Sequence, residues 1–280
     1  MPFVSLKEAI QTIPSNQPGA VGAFNFHNIE YAHAIVAGAE RENSAAILMI
    51  SEMMAKYVGL EMMATVGKLA AKNASVPIAV MLDHGKDLNL IDQAIEMGLS
   101  IMYDGSDLPF TENVKRTAQV VKKAHVNGVS VEGEIGSLGL SEEGEEEANQ
   151  HFTKPEEAKI FADQTGVDVL AISVGNNHGF YQGLQKIDVA RISMIRGLVG
   201  DLPIVMHGGS DMDVKIVQDS IRAGIRKFNI ATDLKYAYAK TMLDTLSVDP
   251  LPLAPPAIFG PVKAQIQKIT QEKIRLFKLQ

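Results

Sequence analysis

The chain has 280 residues, with 33 acidic and 26 basic side chains and a formal net charge of −7. This acidic balance argues against a nucleic-acid-binding protein, because such proteins neutralise phosphate backbones with clustered basic residues. The chain contains no cysteine, which excludes disulfides, thiol catalysis and thiolate metal sites, so a zinc site would need histidine and carboxylate ligands. We find no signal peptide and no apolar segment of membrane-spanning length, and we therefore expect a cytoplasmic protein with no membrane contact.

Short β-rich runs alternate with helical patterns about eight times along the chain. Most of the runs are continuously apolar, which is typical of strands that are covered on both faces. The predicted strands are Val21–Asn25, Ala46–Ile50, Ile78–Leu82, Ser100–Asp104, Val129–Glu134, Val169–Val174, Ile204–Met206 and Lys227–Ile230. The periodic segments between them predict crossover helices at Leu60–Lys72, Leu88–Met97, Asn113–His125, Pro155–Thr165 and Met212–Ala223.

Eight β-α units favour an α/β fold of the closed (β/α)8 TIM-barrel type over an open sheet. A doubly wound sheet that binds a dinucleotide typically has a glycine-rich turn after the first strand, but here that strand leads into the stretch Asn25-Phe-His-Asn28. No linker divides the chain, so we predict a single domain over residues 1–280. The proline-rich region Pro250–Pro261 and the helix-like segment up to Gln280 predict a C-terminal helical extension, packed on the barrel or on a neighbouring subunit.

Three histidines, each close behind a predicted strand and each followed by glycine, are the strongest chemical signal. They are His84, His178 and His207. Because the carboxyl ends of barrel strands meet at one rim, we expect the three imidazoles to lie together. Neutral imidazole binds zinc, and three protein ligands leave a coordination position for substrate. The sequence therefore predicts one catalytic metal site.

Carboxylates accompany these histidines. Asp83 adjoins His84 but points to the other side of the strand, so it is either a general acid/base or a partner that orients a histidine. Asp104 and Glu134 also lie at strand ends and could be further metal ligands; the alternative for Asp104 is a carboxylate that caps a turn or helix.

Two loops on the same side carry further signals. The stretch Gly136–Gln150 contains five glutamates, one of which could close over the substrate and act as a base, although the run itself does not identify which. Gly208-Gly-Ser210 and Asn229-Ile-Ala-Thr232 follow the last two strands, where backbone N–H groups of barrels commonly hold a phosphate. The alternative for the Gly-Gly-Ser stretch is a tight turn.

With these residues assembled, the chain resembles the class II, metal-dependent ketose-bisphosphate aldolases, the family of fructose- and tagatose-bisphosphate aldolases. The resemblance runs over nearly the whole chain. Its carriers are Gly22-Ala-Phe-Asn25, Leu82-Asp-His-Gly85, Asp104-Gly-Ser106, Val131-Glu-Gly-Glu-Ile-Gly136, Thr165-Gly-Val-Asp168, His178-Gly179, His207-Gly-Gly-Ser210 and Lys227-Phe-Asn-Ile-Ala-Thr232.

The resemblance implies reversible cleavage of a phosphorylated ketose to dihydroxyacetone phosphate and an aldehyde. Zinc on His84, His178 and His207 would stabilise the enediolate, and Asp104 and Glu134 match positions that hold a second or alternative cation, divalent or monovalent. Asp83 would exchange a proton with the C4 hydroxyl, and Glu142 would move the proton at C3. The implied substrate contacts are Asn25, Ser51, Gly179, Gly208, Gly209, Ser210, Asn229, Ala231 and Thr232. A homodimer or homotetramer is expected.

The chain departs from the family pattern at several positions that we expect to line the substrate side. They are His27, the stretch Leu138-Gly-Leu-Ser-Glu142, Asn176-Asn177 and Asp211. These departures leave open a related aldolase for a deoxyketogluconate phosphate or a sulfofructose phosphate. Of other classes, a metal-dependent hydrolase and a non-catalytic sugar-phosphate-binding protein remain. A Schiff-base mechanism is disfavoured, because the sixth strand has no lysine at its end and Lys227 begins the eighth strand, at the wrong end for that role.

Overall fold

Eight parallel strands close into a ring in the computed structural model, which describes residues 2–136, 152–181 and 185–280. The ring closes because β4 pairs with both β3 and β5, while β2 pairs with β9. A short ninth strand, β1 (Phe3–Val4), is not part of the ring and pairs in parallel with Ile78 and Ala79 at the start of β4. The ring strands are β2 (Val21–Asn25), β3 (Ala46–Ser51), β4 (Ile78–Gly85), β5 (Ser100–Tyr103), β6 (Val131–Ile135), β7 (Val169–Ile172), β8 (Ile204–Met206) and β9 (Ile225–Ile230). The predicted (β/α)8 TIM barrel is confirmed.

Helices connect the strands and surround the ring. They are α1 (Leu6–Gln11), α2 (Ile29–Arg41), α3 (Glu52–Met54), which continues through a π-helical turn (Ala55–Gly59) into α4 (Leu60–Lys72), α5 (Leu88–Glu96), α6 (Phe110–Val126), α7 (Pro155–Thr165), α8 (Val189–Val199), α9 (Val214–Ala223), α10 (Thr232–Leu246) and α11 (Pro255–Phe277). No helix among the described residues is long and apolar enough to cross a membrane.

Local sequence explains where several helices begin and end. Ser5 and Glu8 form a reciprocal capping box at α1, and the Asn28 side chain accepts the Tyr31 N–H at the start of α2. Helix α9 begins at Val214 and not at the predicted Met212, because the Asp213 carboxylate caps it by accepting the N–H groups of the second and third helical residues. The first residue of these helices is therefore set by capping side chains that accept backbone N–H groups, and the spacing of apolar residues along the chain does not reveal them.

Two apolar layers form the core. The inner layer fills the barrel and includes Ala23, Ile47, Met49 and Val205, while the outer layer lies between strands and helices. Inward-pointing side chains fill small parallel barrels in this way, so the ring is packed and not a pore. Two charged residues, Glu132 and Lys227, are also fully buried on these strands.

The C-terminal extension packs on the barrel. This was one of the two arrangements predicted from the sequence, the other being packing on a neighbouring subunit. Helix α11 lies against α2, where Gly38 faces Thr270, and Phe277 stacks on Phe228 of β9 with ring centroids 5.0 Å apart. Its contacts hold the first and last parts of the chain together on one side of the ring. The single-domain organisation over residues 1–280 stays a prediction.

Candidate active site

The three predicted histidines lie together at the carboxyl rim of the barrel. The ring centroid of His84 is 4.7 Å from that of His207 and 5.1 Å from that of His178, and the last two are 6.1 Å apart. One ring nitrogen from each can be chosen so that all three lie within 4.8 Å of one another. Residues from the ends of β4, β7 and β8 are thus brought to one point by the parallel arrangement of the strands.

His84 reaches this cluster through an unusual backbone conformation. The pairing of β4 with β5 shifts register between Leu82 and Gly85, and His84 has a φ of 49°. A non-glycine residue in the left-handed region costs about 1–2 kcal/mol, and such strain is often found at functional sites. The irregularity turns the imidazole toward the rim while Asp83 remains inside.

The hydrogen bonds of His84 and His207 suit a bound cation. His84 places Nδ1 at 2.9 Å from Asp104 Oδ2, and His207 places Nε2 at 3.0 Å from Glu132 Oε1. The remaining ring nitrogens, His84 Nε2 and His207 Nδ1, are buried and make no hydrogen bond, and His207 Nδ1 lies 3.5 Å from Glu134 Oε1. Metal-binding histidines characteristically donate their other N–H to a carboxylate, and three imidazoles form a donor set that zinc accepts. The residues therefore fit a zinc ion.

A second group of potential ligands shares His84. Its atoms, from His84, Asp104 and Glu134, also lie within 4.8 Å of one another. Asp104 has a structural task as well, since its Oδ1 accepts the Ser106 N–H at 3.1 Å and the Ser106 hydroxyl at 2.6 Å. Both readings of Asp104, as a potential ligand and as a turn carboxylate, agree with these contacts.

Charges in the cluster shift the pKa values of its histidines in opposite directions. Burial disfavours protonation of His207, but Glu134 and Glu132 outweigh it and raise the pKa to about 10. At His84 burial is likewise outweighed, by Asp83 and Asp104, so its pKa is raised. The pKa of His178 is lowered by burial and by the two neighbouring histidines. A cation bound here must displace protons from His84 and His207, which makes its affinity increase with pH.

Asp83 belongs to neither group of potential ligands. Its carboxylate is buried between two amides, with Oδ2 accepting from Asn25 Nδ2 at 2.9 Å and Oδ1 from Asn229 Nδ2 at 3.3 Å. Ser51, at the end of β3, stands next to it in register. The carboxylate is therefore held in one orientation beside the histidine cluster.

A cavity of about 150 Å³ opens above this carboxylate and the histidines. Most of the predicted substrate contacts line it, together with one residue that was not predicted, Lys235. The lining residues are Asn25, Ser51, Asp83, His84, His178, Gly179, Gly208, Ser210, Asn229, Ala231, Thr232 and Lys235. Gly209 is not among them, and Glu142 lies outside the described residues.

The predicted phosphate cradle is a tight junction of two loops. A Cβ atom on Gly208, whose φ is 66°, would lie 2.0 Å from the Asn177 carbonyl oxygen, so only glycine fits. The Ser210 hydroxyl accepts the N–H groups of Ala231 and Asp233, at 3.2 and 3.3 Å. The N–H of Gly209 donates to the Asn229 carbonyl at 3.0 Å. The Gly209 and Ala231 N–H groups are thus already used within the protein.

Two expectations need correction. Asn176 does not line the cavity: it is fully buried, its Nδ2 donates to the His207 carbonyl at 3.1 Å and its Oδ1 accepts the Val174 N–H, so it joins the ends of β7 and β8. Lys227 was expected to begin its strand, but β9 begins at Ile225, and the lysine side chain places Nζ 2.7 Å from Oδ1 of Asn229, a residue that lines the cavity. A position near the start of a strand did not reveal how far its side chain reaches.

A TIM barrel whose carboxyl rim gathers three imidazoles and an amide-held carboxylate has the donor set of a metal-dependent barrel enzyme. The family model described as "Fructose-bisphosphate aldolase class-II" matches residues 4–280. The chain belongs to this family, and it is an aldolase, a carbon–carbon lyase that acts on a phosphorylated sugar.

Similarity to individual proteins extends over the whole chain. It is 37% identical over 281 residues to the fructose-bisphosphate aldolase of Geobacillus stearothermophilus, covering 99% of this chain and 97% of that protein. A fructose-bisphosphate aldolase of Staphylococcus aureus is 36% identical over 284 residues, with coverages of 99% and 98%. Among solved structures, the YdjI aldolase from Escherichia coli K12 superposes with a TM-score of 0.87 at 26% identity, covering 98% of this chain and 97% of that one.

Proposed function

We propose that this aldolase cleaves a ketose bisphosphate to dihydroxyacetone phosphate and an aldehyde phosphate, with zinc held by His84, His178 and His207. The observation that carries the proposal is the cluster of three imidazoles, in which His84 Nε2 is buried without a hydrogen bond and His207 Nδ1 lies 3.5 Å from Glu134 Oε1, beside a carboxylate that two amides hold in place. Zinc bound there would supply positive charge that stabilises the negative charge developing on the substrate oxygens during cleavage.

Asp83 acts on the proton of the C4 hydroxyl. In the cleavage direction, its carboxylate takes this proton as the C3–C4 bond breaks and the C4 carbonyl of the aldehyde forms. Asn25 and Asn229 each donate to one of its oxygens, which fixes the carboxylate before substrate arrives. A carboxylate that is already oriented needs no reorganisation as the proton moves.

Protonation of C3 completes the formation of dihydroxyacetone phosphate. We assign this step to Glu142 from the family resemblance alone. A Glu142→Ala variant should slow tritium exchange at C3 of dihydroxyacetone phosphate by roughly 10²–10⁴-fold, the usual contribution of a general acid/base. A Glu146→Ala variant serves as the control on the same acidic run. Unchanged exchange in Glu142→Ala would move the role to another glutamate.

The substrate contacts divide into two ends. We assign the phosphate next to the ketone to a cradle of Gly179, Gly208, Ser210, Asn229 and Thr232. Gly209 and Ala231 shape this cradle through N–H groups that donate within the protein. We assign the far phosphate to Ser51. Lys235 also lines the cavity, and its ammonium suits a second phosphate or a sulfonate. Because the relatives are fructose-bisphosphate aldolases, fructose bisphosphate is the first substrate to test. A sulfofructose phosphate or a deoxyketogluconate phosphate is the alternative for the same site.

The proposal also includes a second cation position, an oligomeric assembly and a cellular location. The group of His84, Asp104 and Glu134 supports a second or alternative cation position. The assembly into a homodimer or homotetramer and the cytoplasmic location stay predictions. Membership of the aldolase family sets aside the hydrolase and the non-catalytic sugar-phosphate-binding protein.

The test is release of dihydroxyacetone phosphate from a panel of fructose, tagatose, deoxyketogluconate and sulfofructose phosphates, with zinc and with chelator. We expect release that requires the metal. His84→Ala should lose both stoichiometric zinc and activity, whereas His33→Ala, on the exposed side of α2, should keep both. A His84→Ala variant that is fully active without metal would contradict the proposal.

A further inference from the structure

A lysine and a glutamate are buried inside the barrel, one layer below the site. Lys227 on β9 and Glu132 on β6 each have 0% of their surface exposed. Lys227 stands in register with Val21 and Val205 on the neighbouring strands, whose side chains belong to the apolar interior layer. Buried charges are costly unless they are paired, and a buried pair often contributes little net stability. A purely structural role is therefore a weak explanation for these two charges.

Their contacts form a continuous chain between two parts of the active site. Lys227 Nζ lies 2.8 Å from Glu132 Oε2, and the other oxygen of Glu132 lies 3.0 Å from His207 Nε2. Lys227 Nζ also donates to Asn229 Oδ1 at 2.7 Å, and Asn229 Nδ2 donates to Asp83 Oδ1 at 3.3 Å. The order of contacts is His207, Glu132, Lys227, Asn229 and Asp83.

The ammonium group decides which way the Asn229 amide points. An ammonium group only donates, so it can meet the amide of Asn229 only at its oxygen. The amide nitrogen is then left to face the carboxylate of Asp83, which only accepts when ionised. Without the lysine the amide could rotate by 180° and present its oxygen to the Asp83 carboxylate, which would repel that carboxylate instead of holding it.

The same ammonium group acts on His207 through Glu132. Its positive charge pairs with Glu132 inside the barrel, where Nζ lies 2.8 Å from Oε2 and both residues are fully buried, so the carboxylate is held in one orientation. Glu132 Oε1 accepts the N–H of His207 Nε2, so Nδ1, which makes no hydrogen bond and lies 3.5 Å from Glu134 Oε1, is the ring nitrogen left to bind a cation. The partner of the second ring nitrogen commonly fixes the tautomer of a metal-binding histidine in this way.

We propose that Lys227 is a positioning residue that orients both halves of the site, the His207 ligand through Glu132 and the Asp83 carboxylate through Asn229. The inference rests on the proposed function, in which His207 binds zinc and Asp83 moves a proton. Lys227 itself does not touch the substrate, and its ammonium group is already engaged by two acceptors, so it forms no Schiff base.

The test compares Lys227→Met with the double variant Glu132→Gln/Lys227→Met. The single variant leaves an uncompensated buried carboxylate and should lower Tm by several degrees, whereas the double variant removes both charges and should recover most of that loss. If Lys227 is a positioning residue, the double variant still binds zinc ~10–100-fold more weakly than the wild type in chelator competition, although its Tm has recovered. At saturating zinc its kcat should fall roughly 10–100-fold with KM changed less than about threefold.

Two controls separate the outcomes. Lys240→Met removes an exposed lysine paired with Asp244 on α10 and should leave zinc affinity, kcat and KM unchanged. Glu132→Gln alone tests the His207 half if the double variant does not fold, and it should weaken zinc binding by at least about tenfold. A stable double variant with wild-type zinc affinity and kcat would overturn the inference, as would wild-type zinc affinity in Glu132→Gln.

Failure of the proposed function gives a different result. It would appear in the wild-type protein itself, as release of dihydroxyacetone phosphate that does not depend on zinc or as no release from any ketose phosphate of the panel. The zinc competition needs no substrate, so it tests the positioning of His207 independently of the reaction.

Discussion

At the scale of single residues, the neighbours Asp83 and His84 lie in different surroundings. Asp83 is buried between two amides, whereas His84 contacts Asp104 and the other two histidines of the cluster. Regular alternation would point His84 away from the barrel interior, but the register shift in β4 turns its imidazole toward the rim while Asp83 stays inside. A carboxylate and an imidazole that are adjacent in the chain can therefore perform separate tasks.

This separation predicts the behaviour of Asp83→Ala. The variant should retain stoichiometric zinc, because Asp83 belongs to neither group of potential ligands. Its kcat for carbon–carbon cleavage should fall by roughly 10²–10⁴-fold through loss of the general acid/base. Metal analysis and an assay of dihydroxyacetone phosphate measure the two properties. Loss of zinc would place Asp83 in the metal site, and an unchanged kcat would remove its proton-transfer role.

The residue scale also shows how far the sequence could predict the site. The histidines were found because each follows an apolar run and precedes glycine, a local pattern. Glu132 and Lys227 were not assigned a role, because their meaning lies in contacts between strands β6 and β9 that no local pattern records. Lys235 was missed because a lysine in the first turn of a helix usually faces solvent.

At the scale of elements, the C-terminal extension is held to the barrel by close packing of α11 on α2. A Cβ atom on Gly38 would lie 2.8 Å from Thr270 Cβ and 3.1 Å from the Gln267 carbonyl oxygen. The glycine therefore permits a helix approach that any side chain would prevent. Thr270 is itself fully buried and donates its hydroxyl to the Ile266 carbonyl, so it has little room to move.

Gly38→Ala should therefore destabilise the protein by about 1–3 kcal/mol, the usual cost of overpacking. Gly197→Ala is the matched control, because Gly197 also lies within a helix, α8, but a Cβ atom there would meet nothing within 4 Å. That substitution should stabilise the protein by up to about 1 kcal/mol through helix propensity. Urea unfolding measures both. Equal effects of the two substitutions would show that α11 can move away from α2.

The elements themselves were largely predictable. Helices α4 and α7 have the bounds that the apolar period predicts, and β2 and β8 match as well. Strand β1 was missed because two residues are too few to show any alternation. Strand β7 is shorter than predicted, since the chain turns after Ile172 to connect to the loop that carries His178.

At the scale of the whole molecule, a cation bound by the three histidines would link folding to function. The proposed ligands lie at the end of β4, in the loop after β7 and directly after β8, so they are close together only when the barrel is closed. A ligand that binds only the folded state stabilises it by about 2.7 kcal/mol when its free concentration is 100 times its Kd. Zinc should therefore stabilise the complete ring and not one element.

Chelation should accordingly lower the Tm of the wild-type protein. The expected loss in the free energy of unfolding is about 2.7 kcal/mol for protein previously held at 100-fold excess of free zinc over Kd. His84→Ala should show no such change, because it cannot bind the ion stoichiometrically. Thermal scans of both proteins, with and without chelator, measure the effect. An equal Tm for wild type with and without chelator would contradict a zinc site built from this cluster.

The sequence by itself determined the fold class, the family and the three histidines, because apolar periodicity and short motifs are local properties that survive in a linear chain. The tertiary structure alone decided which side chains meet. It placed the Lys227 ammonium beside Glu132, gave Asp83 its two amides and joined the Asn176 side chain to the His207 carbonyl. These contacts join residues far apart in sequence, and they exist only because closure of the ring brings the strand ends to one rim and the barrel interior excludes water.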